Sequence, residues 1–476
     1  MTIAAPDSTW DLVVVGHGVA GLAAAKSFLD HSAQAGRTAR VAVLERAPRS
    51  ERGGSSAWTT AFLRLTGEGE LDPSWAENMR MNSGALIDEQ YVSSFYANVP
   101  ATLQWLQDLG VALDKVPTPF GTGWAWSVVG GGRAVVEKLL AKVTAQGADV
   151  FYETTAEHLV RDDEGQTTGV QVRLSDGTAT VLGAAAVVLA NGGFEGNHEM
   201  LSRYIADAYR LKTVSPGTMN NRGDGLRMAL EVGAGTAGQF DAAHLEPCDA
   251  RSASEEPLVA AWYWGILVNQ AGERFMDEAE RTYDIQFDSI ANVTHRTQGG
   301  RSYAIIDQSV RRAVPFLDAM QSTALAPVTA DTIEELAVKL GIDPQRLAAT
   351  VAQYNAAAPG DIDPLTMDGR ATTGITPRKS NYAQPLTDGP FEAWPIEPQI
   401  CFTYGGVKVD AEAHVLDMDG RVISGLYAAG EVTGIFYKEY PAGTSVLRSM
   451  TFGREAGRVA AAEVFGAHAS IGAAAG

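Results

Sequence analysis

The chain has 476 residues, 45% apolar and 20% charged, with a formal charge of −20 from 37 basic and 57 acidic side chains. That length exceeds one ordinary core and predicts two structural units, and the composition is that of a globular protein rather than a disordered one. So acidic a surface repels nucleic acid and anionic membranes, and the two cysteines, Cys248 and Cys401, exclude a cysteine-ligated cluster, c-type haem and a disulfide framework.

The N-terminal stretch lacks a basic segment followed by an apolar one, and no apolar run reaches membrane-spanning length, so a cytoplasmic enzyme without a membrane partner is expected. Leu12 to Val15 reads as a buried strand. Gly16, Gly18 and Gly21 follow in G-x-G-x-x-G spacing, then an alanine-rich helix to about His31, then a second strand ending at Glu45. Glycines there allow a tight turn and close approach of the backbone to a pyrophosphate at the helix N-terminus, and the terminal acid can accept from a ribose hydroxyl. His17, inside the fingerprint, reads as incidental. Gly53, Gly54, Ser55 and Ser56 form a small-residue loop that suits a second phosphate or a flavin ring, or is an ordinary polar loop.

Residues from about 75 to 145 show helical spacing throughout. Asp149 to Val160 and Thr167 to Ala179 alternate as hairpin strands do, and Ala185 to Ala190 is a buried strand running into NGGFEGN. A helix begins near Asp224. Between about 239 and 382 short strands and helices mix, with Thr332 and Asp343 as helix caps. From about Glu392 alternating strands return, and a last helix runs from Ser445 through Val464, with a frayed tail after it. The predicted fold class is therefore α/β with an α+β insert: a Rossmann-like nucleotide-binding domain (1–238 and 383–476) interrupted by an inserted domain (239–382).

Together, GHGVAG with Glu45, GGSS, LANGGF, GERFMDE, FTYGGVKVD and GLYAAGEVTG resemble the FAD-dependent flavoproteins related to fumarate reductase and succinate dehydrogenase. EYPAG with TFGREAG is most similar to 3-ketosteroid dehydrogenases and tricarballylate dehydrogenases. The resemblance implies noncovalent FAD, because covalently flavinylated members carry a histidine before their Gly-Gly pair and residues 44–52 hold none. It implies a substrate-binding role for the inserted cap, Glu431 beside the ribityl or pyrophosphate, and amides of Ser445, Val446 and Leu447 at the flavin N1/O2 edge. The remaining expected cofactor positions are Val19, Ala20, Arg46, Ala156, Ala190, Asn191, Gly192 and Gly430, beside Gly16, Gly18, Gly21, Glu45, Gly53, Gly54, Ser55 and Ser56.

The departures narrow the chemistry. Fumarate reductases carry histidine where Phe402 stands and arginine where Tyr440 stands, so a substrate carboxylate loses two clamps. Their general-acid arginine falls at Thr282 by ungapped counting, one residue from Arg281, whereas Tyr283–Asp284 matches the tyrosine–aspartate of ketosteroid enzymes after one insertion. The expected reaction is desaturation of a CH–CH bond beside a carbonyl, on a ketosteroid or other cyclic ketone. Tyr440 would donate to the carbonyl with the Gly443 amide nearby, and Tyr283 would be the base, or Arg281 the acid. His244 would bind a carbonyl or carboxylate. Phe402, Tyr404, Gly443 and Arg448 complete the substrate contacts, although for Arg448 a structural ion pair is the favoured reading over lowering a tyrosine pKa or pairing with a substrate acid. Trp124 and Trp126 wall the site or pack a core strand. Alternatives are an ene-reductase and a tricarballylate-type dehydrogenase. A small-molecule substrate and an external electron acceptor or donor are the expected partners, and the scattered histidines give no metal site.

Overall fold

The computed structural model describes residues 9–117 and 124–474. Strand β1 (Trp10–Val15) feeds helix α1 (Val19–Gln34), which returns to β2 (Val41–Leu44). Leu12, Val13 and Val14 are wholly buried, because β1 lies mid-sheet with parallel neighbours on both sides. Beyond β2 lies β3 (Asp149–Phe151), and beyond β1 lies β4 (Ala179–Leu189).

Two more stretches of this first sheet come from the far end of the chain: β7 (His414–Leu416) and β8 (Val422–Ala428), where β8 pairs parallel with β4. A final helix, α3, runs from Ser445 to Ala474, past the expected end at Val464. It packs on α1 so closely that a Cβ at Gly457 would sit 2.2 Å from the Ala24 carbonyl oxygen.

The second sheet is built around one long buried strand, β6 (Phe391–Thr403). Strand β5 (Ala243–Asp249) pairs with it antiparallel, and residues 302–306, 328–330 and 212–213 pair with it too. Helix α2 (Tyr283–Thr297) packs across β5 and β6. A separate aromatic-rich core lies here, with Trp262, Trp264, Tyr354, Tyr382 and Trp394 almost fully buried. Thr332 and Asp343 do cap the helices that follow them, accepting from the amides of Glu335 and Arg346. Since β6 places Phe391, Trp394 and Ile396 in this core and Ile400 and Phe402 in the first, the two cores are continuous through one strand.

Two expectations need correction. Residues 75–145 are not all helical: Leu113–Pro117 and Trp124–Val128 form an antiparallel pair, which Trp126 anchors by donating from Nε1 to the Thr66 carbonyl at 2.8 Å. Trp126 thus packs a strand, while the Trp124 side chain lies outside the described residues. Asp149 to Val160 is also two strands, because Glu153 takes φ +53° and separates β3 from a hairpin at 155–173.

His414 ties β7 to α3. Its Nδ1 meets Asp410 at 2.9 Å and its Nε2 meets Glu463 at 2.8 Å, and these partners, Asp410 foremost, raise its pKa from 6.5 to about 9. A raised folded pKa adds stability that is complete below pH 6.5 and lost as pH climbs through about 9. The melting temperature should therefore decline over that interval, and His414→Gln should remove that part of the decline in thermal melts run at pH 6 and pH 9.5.

Candidate active site

At the C-terminal ends of β1, β2, β4 and β8 lies a cavity of about 1220 Å³, counted to its open mouth. Ligands of parallel α/β sheets bind at such strand ends. Gly16 (φ +114°) lets β1 turn against the end of β4. Ser56 then accepts from the Val19 amide at 3.2 Å and so covers part of the α1 N-terminus. Glu45 directly follows β2 and accepts from the Ala47 amide at 2.8 Å, and burial pushes its carboxyl up. Arg46 pairs with Asp224.

Of the expected cofactor residues, Gly16, Gly18, Ala20, Glu45, Arg46, Gly54, Ser55, Ser56, Ala156, Ala190, Asn191, Gly192, Gly430, Glu431, Ser445 and Val446 line this cavity. Val19, Gly21, Gly53 and Leu447 stand behind that lining. His17 joins it too. Its imidazole is buried beside Tyr152, and burial, then Arg52, lower its pKa to about 4.

Glu431 is bound by protein donors: its Oε1 accepts from the Thr403 amide at 2.9 Å and its Oε2 from Asn221 at 3.3 Å. Glu195 faces it, fully buried, and Asn221 bridges both acids and Ser55. Burial foremost, then the facing Glu431, push the Glu195 carboxyl well up, and burial raises Glu431. Glu195 and Asn221 are not read from the sequence as site residues. The acid in NGGFEGN, just past a buried strand, was the available signal.

At the other end of the cavity, Tyr440 explains the turn before α3. Its phenolic oxygen accepts from the amides of Thr444 (2.8 Å) and Ser445 (2.7 Å), so the phenol caps its own helix. The first-turn amides of a helix have no acceptor on that helix, and those of Val446 and Leu447 meet none elsewhere among the described residues. Rings of His244 (5.0 Å), Phe402 (4.9 Å) and Phe436 (5.1 Å) surround Tyr440. Phe402 also lines the cavity, and the other rings of this aromatic group pack behind it.

The arginines of the region are committed to the protein. Arg281 pairs with Glu439 at 2.6 Å. Arg448 donates to Tyr91, Thr433 and the Gly430 carbonyl and lies over Phe436. It makes none of the ion pairs recorded among the described residues, so that sequence expectation does not hold. Arg64, unforeseen, donates to Asp72 (3.1 Å) and to Asp284 (2.8 Å), and its backbone amide donates to the Gly443 carbonyl (2.7 Å).

Tyr283 opens α2, stacked on Trp262 at 5.3 Å and packed by Phe287, which also contacts His244. Burial, then the charge of Glu246, push its phenol above the ordinary range, which opposes a role as base. Tyr404 donates to Asp288 at 3.0 Å, and His244 meets the same carboxylate at 2.9 Å. The structure thus gathers Tyr440, His244, Phe402 and Tyr404 in one cluster, with Tyr283 at its edge, Arg281 paired with Glu439, and Arg448 lining the cavity while it donates to its structural partners.

A profile described as FAD binding domain matches residues 11–447. The chain is 30% identical to a fumarate reductase (cytochrome) of Shewanella frigidimarina, over 96% of this chain and 78% of that one. It is also 30% identical to a 4-oxocyclohexanecarboxylate 2-dehydrogenase of Sinomonas cyclohexanicum, over 98% and 95%. Among solved structures, a 3-ketosteroid-Δ4-(5α)-dehydrogenase from Rhodococcus jostii RHA1, in complex with 4-androstene-3,17-dione, superposes with a TM-score of 0.73 at 25% identity, over 97% and 98%. Some longer relatives are matched over less than half of their own length, 38% and 48% in two cases. Among the described residues no helix is long and apolar enough to cross a membrane.

Proposed function

The chain belongs to the family of FAD-binding flavoproteins that includes the fumarate reductases, and on that premise we propose that it desaturates a carbon–carbon bond beside the carbonyl of a cyclic ketone. The glycine turn after β1, the Ser55–Asn221–Glu431 donor and acceptor set and the open amides of Val446 and Leu447 suit an elongated dinucleotide with an anionic middle and an acceptor-rich ring edge. When bound, FAD supplies the two-electron acceptor that takes the β-hydride. In this reading residues 239–382 cap the substrate, while 1–238 and 383–476 hold the cofactor and β6 joins the two.

One observation carries the proposal. Two amides already point at the Tyr440 oxygen, so its hydroxyl proton must be directed elsewhere. A carbonyl oxygen beside the ring receives it, and the same donor supports the oxyanion that forms when the α-proton leaves. Arg64, Arg281 and Arg448 donate to Asp284, Glu439 and Thr433, so none of the three is held in reserve as a two-pronged clamp for a second carboxylate, although Nε of Arg281 and of Arg448 has no partner among the described residues. Phe402 and Phe436 exclude water from the reacting face. The relative acting on 4-oxocyclohexanecarboxylate is consistent with a ring ketone. Run backwards, the same arrangement reduces an enone.

Anaerobic bleaching of the flavin tests this. A 5α-3-ketosteroid or a substituted cyclohexanone should bleach it and tricarballylate should not, and Tyr440→Phe should slow the bleaching by about 10²–10³-fold, the usual loss for one oxyanion donor. Bleaching by tricarballylate, abolished in Arg281→Lys, would overturn the ketone assignment.

A further inference from the structure

We propose that His244 carries the proton of this reaction and that Asp288 is its positioning residue, an inference that rests on the desaturation reading above. Asp288, on α2, is 1% exposed. Its Oδ1 meets His244 Nδ1 (2.9 Å), the Leu245 amide (3.2 Å) and Asn292 Nδ2 (2.9 Å), and its Oδ2 accepts from Tyr404 (3.0 Å). With a carboxylate as its partner, Nδ1 of the neutral ring takes the hydrogen and Nε2 keeps the lone pair.

That lone pair has no protein donor among the described residues. The acid nearest to it is Glu246, with Oε1 at 3.7 Å and Oε2 buried without a hydrogen bond. A register shift in the β5–β6 pairing falls between His244 and Leu245, the device by which strands re-aim a side chain. Cys401 completes the surroundings: its Sγ, a ring nitrogen of His244 and a Glu246 oxygen lie within 4.8 Å of one another. The remaining faces are the rings of Tyr440, Phe402 and Phe287. An imidazole lone pair and a carboxylate oxygen that face each other in a buried site repel unless a proton lies between them. The site is therefore built to hold one exchangeable proton beside Tyr440. Burial raises the Glu246 carboxyl, in keeping with such a shared proton.

The step balances. The substrate α C–H breaks, its proton goes to Nε2 and its electron pair enters the enolate, whose oxygen rests on the Tyr440 hydroxyl. The enolate would then form the C=C bond, with FAD, when bound, as the acceptor of the β-hydride. The ketone loses two electrons, the flavin gains them, and Nε2 passes the substrate proton on to solvent, directly or by way of Glu246.

Proton transfer can be read without turnover. Holoenzyme with its flavin already reduced by dithionite cannot accept hydride, yet should exchange the α-hydrogens of cyclohexanone or 5α-androstane-3,17-dione with D2O, followed by mass spectrometry. His244→Gln should lower that exchange by about 10²-fold or more, the usual contribution of a general base, and by at least ~10-fold more than Tyr283→Phe does. Asp288→Asn should shift the pH profile of the exchange, and exogenous imidazole should restore part of it in His244→Ala. FAD absorbance and melting temperature report whether each variant is folded. Exchange that survives in His244→Gln but is lost in Tyr283→Phe would overturn the assignment, as would a parent protein that bleaches with these ketones yet exchanges nothing. A parent whose flavin no ketone bleaches would instead overturn the desaturation reading.

Discussion

Gly16→Ala should leave a chain that purifies with little or no FAD, whereas Gly36→Ala should keep its full complement. Both glycines have positive φ, +114° and +69°, so an L side chain meets backbone strain at either. The difference is space. A Cβ at Gly36 meets nothing within 4 Å, but one at Gly16 would stand 2.3 Å from the Ala190 carbonyl oxygen and 2.8 Å from the Asn191 Cα. Those are backbone atoms and cannot rotate away. The Ala190 amide donates to the Val15 carbonyl at 2.8 Å, so the end of β4 can retreat only by opening the ladder that joins it to β1. Yielding on the Gly16 side would tilt the turn that aims the α1 amides at the pyrophosphate. The ratio of flavin to protein absorbance after gel filtration measures the outcome. A drop in occupancy of about tenfold needs only ~1.4 kcal/mol of lost binding free energy, and strain of about 1–3 kcal/mol is usual for such a backbone position before any clash is added. Gly16→Ala protein that retained stoichiometric FAD would show that this turn is not where the cofactor is gripped.

The nucleotide half of the site was legible because its signals are local. A strand, a glycine turn, a helix and an acid-ended strand follow within 36 residues, from Trp10 to Glu45, and each predicts its neighbour. Tyr440 was legible as a phenol at a helix start, although the sequence does not say that its oxygen would cap that helix. What stayed hidden acts over long separations. Glu195 meets Asn221 26 positions away, and Asp288 meets His244 44 positions away. Nothing periodic marks such partners. The reading of α2 also favoured Tyr283 and Asp284, the residues beside the family motif, whereas the carboxylate that touches His244 is one helical turn further on. Arg64 was missed for the opposite reason: it lies in a stretch without any recognised pattern, and its importance comes entirely from what folds onto it.

Arg64→Met should be the most destabilising single substitution in the region. The guanidinium, 9% exposed as a residue, donates through Nε to Asp72, through Nη1 to Asp284 and through Nη2 to Ser74. Methionine fills much of the volume but leaves two carboxylates, Asp72 at 3% and Asp284 at 5% exposure, facing each other's charge without a counterion. Removing one partner of a buried ion pair typically costs about 3–5 kcal/mol, because the stranded charge keeps its desolvation penalty. Asp284 Oδ1 already lacks a hydrogen bond, so no spare donor compensates. Urea unfolding of the holoprotein should show that loss. Arg64→Lys should lose less, retaining the charge while giving up the fork geometry. Adding Asp284→Asn to Arg64→Met should recover part of the deficit, since the two sites are in contact and their effects are not additive. The consequence extends to chemistry. Arg64 holds the first turn of α2 with its side chain and the Gly443 carbonyl with its backbone amide, so it fixes the helix that carries Asp288 against the turn that carries Tyr440. A folded Arg64→Lys protein should accordingly bind FAD normally and show slower flavin bleaching by ketones. Bleaching at the parent's rate, together with an unfolding free energy within about 1 kcal/mol of the parent's, the usual range for an exposed ion pair, would mean that this arginine neither holds the fold nor fixes α2 against the turn that carries Tyr440.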